Sequence, residues 1–551
     1  MQKRPSLSFR PIIPLLLFFL IICVVYSPVL YFDYVFHDDT LFWIKLKEYG
    51  FKPYLYHLLI FECRFVYAWL LTLGQFFVHK VSDLRFLRFS AILISSCNAY
   101  LLLQQLRRLF FSELQAFLAI SAIFFLPGFS NIFFSASYSY ILALSIFMAC
   151  WSFHKVETCQ RMIIPIFSFL LALTIYPSTA MFYWVMIALN ILFVRDRSSL
   201  LFRNHIFRSM AVGLIGLLIY TILILLMGYS LSHKITNYFY NPYTLTHDWF
   251  EKLQWFFQEP IKNALNLWDI FPKATTSIIV FGFIIFTALF VTTRKFINIE
   301  PQNIKGAALT CLWQLSLLIF IFFLTFLPNL AAQGNAAYYR CLIPLTSLIW
   351  FILVWAIFQW MEIIPKILTQ WSMTALLSLI VVYAGIKTYN NVLYYRVLPS
   401  YVEWNAYKSM IEEIRFNKKV NAIHIVLPFH SPTERYDEFC VLSSHFTFDI
   451  YHLIYCAFAE TDGLNQHSIP LVYISYPGNN VLLEVKEIYF EELPNGDGIY
   501  KDINRDKYFH KIEHPKISLD DHGLTTFLWP QKVFSKKLHW YILNLQDLFR
   551  P

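Results

Sequence analysis

Apolar runs of roughly 20 residues, separated by short polar or basic breaks, recur from residue 11 to about residue 390 and then cease. Each is long enough to cross a hydrocarbon layer about 30 Å thick as a helix. The pattern predicts spans near 11–32, 87–106, 115–132, 138–153, 162–177, 180–194, 210–228, 276–293, 307–327, 341–360 and 372–389. The first follows Lys3, Arg4 and Arg10. It exceeds the apolar core of an export signal and no small-residue cleavage site follows, so it reads as an uncleaved span with its N-terminus in the cytoplasm.

Segment 58–79 is ambiguous. Counted as a span, it gives twelve crossings and places Arg107-Arg108, the cluster Arg195, Arg197, Arg203 and Arg208, and Arg294-Lys295 outside, against the positive-inside rule. Laid along the outer interface or re-entering, it leaves eleven spans, and those clusters fall in the cytoplasm with Lys155, Arg161, Lys305 and Lys366. The outer loops 128–137 and 328–339 then carry no Lys or Arg. The charge distribution therefore favours about eleven spans, N-terminus in and C-terminus out. Loop 33–86, loop 229–275, the loop ending at Arg340 and the chain beyond about residue 390 then lie outside.

The tail, 400–551, reads as a separate soluble α/β domain on the outer side, following a multi-span region 1–390. Ser400 and Glu403 stand at capping-box spacing ahead of an apolar stripe of Trp404, Tyr407, Ile411 and Ile414. Asn421 to Leu427, Leu471 to Tyr476 and Val481 to Phe490 read as strands, and Ser443 to Glu460 as a second helix. The predicted fold class is a polytopic α-helical membrane protein with an outer-side C-terminal α/β domain.

Composition supports that class. Of 551 residues, 58% are hydrophobic and only 14% charged, against roughly 25% charged in a soluble domain. The formal charge of +9 is scattered in short clusters between apolar runs, which argues for topology signals and against nucleic-acid binding. Nine cysteines without Cys-x-x-Cys or Cys/His ligand spacing make neither a zinc site nor a disulfide framework. Cys440 and Cys456 could pair if their domain faces an oxidising compartment.

The candidate chemistry is sparse. After the first span, Asp33, His37, Asp38 and Asp39 crowd the membrane surface. Neighbouring carboxylates at an apolar boundary raise one another's pKa, which suits a general base, although a solvated acidic loop has the same composition. Asp33 reads as a turn residue. Glu62 and Arg64 interrupt an apolar run, as a functional pair or as a local ion pair at the headgroups. Arg340 follows Tyr338-Tyr339 at an outer helix end, where its guanidinium can take a phosphate in a fork or snorkel to lipid. Tyr338 and Tyr339 suit an interfacial belt. Loop 229–275 interleaves Lys234, His247, Asp248, Glu251, Lys252 and Glu259 with Tyr238, Tyr240, Tyr243, Trp249, Trp255 and Phe256, and reads as an amphipathic helix on the membrane or a sugar-stacking surface. Tyr176-Pro177-Ser178 reads as a tight outer turn.

With FHDDT at Phe36 to Thr40, RFVYAWLLTL at Arg64 to Leu73, DLRFLRFSAIL at Asp83 to Leu93, Arg340 in a late outer loop and an outer C-terminal domain, the chain resembles the GT-C superfamily of membrane glycosyltransferases. The match covers roughly the first 130 residues and the neighbourhood of Arg340. The resemblance implies transfer of a sugar from a polyprenyl-phosphate carrier to a glycan, lipid or protein acceptor, with inversion, at the outer face of a bacterial inner membrane. It implies that Asp38 or Asp39 is the base, that Arg340 assisted by Arg64 holds the carrier phosphate, and that His37, Glu62 and Tyr339 lie on the substrate side. Metal-dependent members carry a second acidic motif in the next outer loop. Here Ser130 to Tyr140 contains no Asp or Glu, so the expectation is a metal-independent enzyme without a cofactor. One carboxylate can suffice, because a phosphate leaves without a general acid and needs only a cation to meet its charge; hydrolases of plain glycosides generally need two.

Two rival classes stand beside the enzyme. A transporter or flippase of lipid-linked saccharide would also need many spans, but the sequence displays neither paired halves nor repeated Gly- or Pro-broken helices. A noncatalytic protein of envelope-polysaccharide assembly would tolerate replacement of both Asp38 and Asp39.

Overall fold

A computed structural model of the chain describes residues 12–36, 39, 64–109, 112–159, 161–193, 200–231, 246–268, 274–299, 304–335, 337–361, 366–398, 400–401, 404–405 and 408–409, and eight short strands between 422 and 544. The helices, in chain order, are α1 (Ile12–Val25), α2 (Ser27–Tyr31), α3 (Phe65–Gln75), α4 (Leu84–Arg107), α5 (Glu113–Phe124), α6 (Pro127–Phe134) and α7 (Ala136–Thr158). Then come α8 (Ile163–Ile175), α9 (Pro177–Ala180), α10 (Phe182–Phe193), α11 (Leu200–Leu231), α12 (Trp249–Gln258) and α13 (Pro260–Leu265). The last are α14 (Ala274–Ile299), α15 (Ile304–Leu324), α16 (Leu327–Ala331), α17 (Tyr339–Met361) and α18 (Lys366–Val392), which ends in a π-helical turn, Leu393–Val397.

Among the described residues, five stretches, Val81–Arg107, Ala136–Thr158, Arg203–Leu226, Tyr339–Met361 and Trp371–Val392, are long and apolar enough to cross a membrane, and the pair α5 and α6, bent by 62°, makes a sixth if it counts as one. Helices also occupy the remaining predicted segments, and two of them, Ile12–Val25 and Ile163–Ile175, are short. Their shortness has a local cause. Leu126 and Tyr176 each precede a proline and are extended, with φ/ψ of −62°/149° and −153°/104°, as the steric demand of the proline ring requires. Pro28, Pro127, Pro177 and Pro328 then open short helices within their first two positions, where a missing N–H costs nothing. Repeated proline-broken helices are therefore present, which corrects the sequence expectation that there are none. That expectation looked for breaks inside apolar runs, and these fall near their ends.

The core forms around α4, α7, α8 and α10. Ala91, Ala99, Ala143 and Ala149 are fully buried, and such small side chains let helices approach closely. Buried polar groups are tied across helices: Asn98 Nδ2 donates to Ala143 O at 2.9 Å, Gln105 Nε2 to Asn190 Oδ1 at 2.9 Å and Ser152 Oγ to Pro165 O at 2.6 Å. The opposite faces are apolar and exposed at helical spacing, with Ile12, Leu16 and Leu20 on α1, Leu214, Leu218 and Ile222 on α11, and Ile279, Phe283, Phe286 and Phe290 on α14. Apolar stripes on the outside of a bundle are suited to lipid contact.

Polar contacts divide the helix ends into two groups. At one, Arg107 pairs with Glu113, Arg108 with Glu157, His205 approaches Glu157 at 3.6 Å, and Arg208 donates to Cys159 O at 3.2 Å. At the other, Arg85 pairs with Asp33 at 2.7 Å and Arg88 with Asp39 at 3.1 Å. The end of the first apolar helix and the start of α4 thus lie together. Helix α3, with 11 residues, covers only about 16 Å, roughly half a hydrocarbon layer. It lies close against the first turn of α7. Tyr140 donates to Leu70 O, and a Cβ at Gly74 would collide with the Tyr140 hydroxyl. Just beyond α18, Tyr401 stands edge-on to Phe32 at 5.0 Å, and Trp404 is buried.

In the tail, β1 (Ala422–Val426), β2 (Leu471–Ser475), β3 (Val481–Val485), β6 (Phe509–Glu513), β7 (Gln531–Ser535) and β8 (Trp540–Asn544) form one sheet, in the order β6-β3-β2-β1-β8-β7. Strand β1 pairs in parallel with β2 and β8, and the remaining pairs are antiparallel. A separate two-stranded sheet joins β4 (Glu491–Glu492) to β5 (Gly498–Ile499). Strands β1 to β3 lie within the three segments read as strands. The predicted helix Ser443 to Glu460, Cys440 and Cys456 lie outside the described residues.

The two groups of helix ends make a labelling prediction. Single cysteines at His79 and Ser400 react with an impermeant maleimide from the same side of sealed vesicles, and a cysteine at Glu113 reacts from the opposite side. Reaction of His79 and Glu113 from one side would refute this arrangement.

Candidate functional site

The first acidic segment closes on itself before it meets the bundle. Asp39 N donates to Phe36 O at 2.8 Å, and Asp39 Oδ2 accepts from Phe36 N at 3.3 Å. The same oxygen accepts from Arg88 Nη2 at 3.1 Å, while Oδ1 accepts from Ser137 N at 2.8 Å and Ser135 Oγ at 3.1 Å. Both side chains of the ion pair are buried, at 1% exposure for Arg88 and 0% for Asp39. Ser137 belongs to the first turn of α7, whose N-cap residue Ser135 makes no cap of its own. Asp39 therefore caps α7 from a distant part of the chain, placing a carboxylate at the positive end of the helix.

Burial raises the Asp39 carboxyl above the usual carboxylate range, opposed first by the Arg88 charge and then by the hydrogen bonds from Ser137, Phe36 and Ser135. Arg88 also donates to Tyr34 O at 3.0 Å and lies 3.8 Å from the centre of the Tyr34 ring. Both Asp39 oxygens are taken up by protein donors. Among the described residues, no three His, Cys, Asp or Glu side chains come together.

The start of α4 supplies the clamp. Asp83 accepts from His79 N at 2.9 Å and Lys80 N at 3.0 Å, which stops the chain before the helix. Arg85 and Arg88, three apart, then share a helix face and hold Asp33 and Asp39 respectively. Asp33 is thus a paired residue at the turn.

Three more guanidiniums gather at this end, those of Arg64, Arg340 and Arg396. Arg64 lies 4.3 Å from the Tyr176 ring centre and 5.5 Å from that of Tyr67. Arg340 lies 5.0 Å from the ring centres of both Tyr138 and Tyr338. Both cations act electrostatically on the Tyr176 hydroxyl. Tyr138 follows Ser137 directly, so one short segment touches Asp39 with one residue and Arg340 with the next. On its other side, the Phe134 ring meets Phe36 at 4.5 Å and Arg396 at 5.0 Å. Tyr339 is buried in the first turn of α17, where its carbonyl packs so closely on Gly128 of α6 that a Cβ there would lie 2.9 Å away.

Of the residues singled out from sequence, Asp39, Arg64, Tyr339 and Arg340 are described and lie at one end; His37, Asp38 and Glu62 lie outside the described residues. Arg88, Ser135, Ser137, Tyr138, Tyr176 and Arg396 were not assigned site roles. Arg88 carried a readable signal, a charge within a predicted span at residues 87–106. The serines carried none. Compared with protein families, curated protein sequences and solved structures, the chain matches none.

Removing one member of a buried ion pair leaves the other charge without its partner, at a cost of about 3–5 kcal/mol. Asp39→Leu and Arg88→Met should each lower stability strongly, and the double variant should be less destabilised than the sum of the two. Thermal unfolding in detergent checks this; simple additivity would show that the two side chains are not coupled.

Proposed function

We propose that the chain is a membrane glycosyltransferase of the GT-C type, using a polyprenyl-phosphate sugar as donor at the face that carries Asp39. The observation that carries this reading is the convergence of Arg64 and Arg340 on Tyr176, joined through Tyr138 and Ser137 to the anchored Asp39 turn. Two guanidiniums on aromatic faces at the end of a lipid-facing bundle suit a phosphate whose prenyl chain remains in the bilayer. Applying the positive-inside rule to Arg107, Arg108 and Arg208, we take this face as the outer one and the number of spans as about eleven. The resemblance extends the reading to a bacterial inner membrane, with the tail in the periplasm.

In the reaction, the acceptor hydroxyl attacks the anomeric carbon, the carbon–oxygen bond to phosphate breaks, and the phosphate leaves with the bonding pair against Arg340 and Arg64. The hydroxyl proton passes to a carboxylate. Asp39 is enclosed and fully bonded, so its part is to fix the turn, and Asp38, its neighbour in sequence, takes the base role. The proline-broken helices weaken the sequence argument against a transporter; the reading rests instead on the grouping of carboxylate and guanidiniums at one face.

Purified protein in proteoliposomes, given a panel of polyprenyl-phosphate hexoses and pentoses, should transfer sugar and should do so in the presence of a chelator. Asp38→Asn should lower kcat by about 10²-fold or more, and Arg340→Ala should chiefly raise the donor KM. Undiminished transfer by both variants would sink the site assignment. Donor crossing the bilayer without transfer would favour a flippase.

A further inference from the structure

Helix α12 has two unlike faces. Trp249, Phe250, Leu253 and Phe257 are exposed, whereas Lys252, Trp255 and Phe256 are buried. The buried stripe, at i, i+3 and i+4, would ordinarily be wholly apolar. Here it contains a lysine. Its Nζ donates to Gly334 O at 2.7 Å and to Asn335 Oδ1 at 2.9 Å, and lies 4.3 Å from the Trp255 ring centre. Trp255 in turn donates its indole N–H to Glu259 Oε2 at 2.7 Å. The three hydrogens of the ammonium thus have two oxygens and a π face to meet. Burial pushes the ammonium down to about 8.

The partners lie on the strap of chain that leads into α17. Thr246 N donates to Ala331 O at 2.9 Å, giving α12 a second hold on it. Further back, Asn329 Nδ2 donates to Ser178 Oγ at 3.2 Å, tying the strap to the break that carries Tyr176. Arg340 stands five residues after Asn335.

We infer that Lys252 is a positioning residue, which clamps the Gly334–Asn335 turn to α12 and so sets Arg340 beside Tyr138 and Tyr176. The inference rests on the reading of Arg340 as the phosphate-binding residue, and it adds the device that holds that residue in place. A lysine serving only to fill space would be replaceable by methionine, which keeps the stem and removes the ammonium.

Hydrogen exchange of the full-length protein in lipid nanodiscs tests the clamp directly. Lys252→Met should speed exchange of amides 332–340 about tenfold and leave 84–107 unchanged. Asn335→Asp, which offers the ammonium a full charge, should slow exchange in the wild-type background and have no effect beside Lys252→Met. With geranylgeranyl phosphate in detergent micelles as probe, Lys252→Met and Arg340→Ala should each weaken binding by about tenfold. Unchanged exchange at 332–340 in Lys252→Met would overturn the inference, as would wild-type affinity in that variant when Arg340→Ala has lost it. Wild-type affinity in Arg340→Ala would instead overturn the phosphate reading, and the exchange data would then decide the clamp alone.

Discussion

A buried carboxylate must be met by charge and hydrogen bonds or it will not stay ionised, and the Asp39–Arg88 pair is where this chain satisfies that demand. Three parts of the chain contribute: the segment after the first apolar helix through Asp39 and Phe36, α4 through Arg88, and the start of α7 through Ser135 and Ser137. None of these groups could be buried comfortably alone. The pair therefore fixes how three segments meet, and with them the turn from which Tyr138 and Tyr140 project toward Arg340 and α3.

Around that knot, proline sets the ends of the helices. Short helices that carry Pro28, Pro127, Pro177 and Pro328 in their first two positions follow breaks in the helical run. At α6 the new direction differs by 62°, and close packing at Gly128 brings that short helix onto the start of α17.

Much of the helical framework was legible because membrane-length apolar runs are a local and strong signal: each predicted segment coincides with a helix or a broken pair. The Lys and Arg distribution argued against a crossing at 58–79, and the contacts of Asp33 with Arg85 and Asp39 with Arg88 bring both flanks of that segment to one end. The acidic segment was conspicuous too, yet its bonding was not. Arg88 lies 49 residues from Asp39 and Ser137 lies 98 residues away, and no periodicity or spacing reports on pairs so distant. The same holds for Lys252, which in sequence belongs to the polar side of an amphipathic helix. The fold buries its ammonium instead, because a carbonyl and an amide oxygen wait there.

In the proposed site, the anchored acidic turn and two guanidiniums together receive a lipid phosphate. The most direct measurement is an electron cryomicroscopy structure of the protein in nanodiscs with geranylgeranyl phosphate. Phosphate density is expected between Arg64 and Arg340, beside Tyr176, with the prenyl chain running along the apolar face of the bundle. Phosphate held at the opposite end, among Arg107, Arg108 and Arg208, would contradict it.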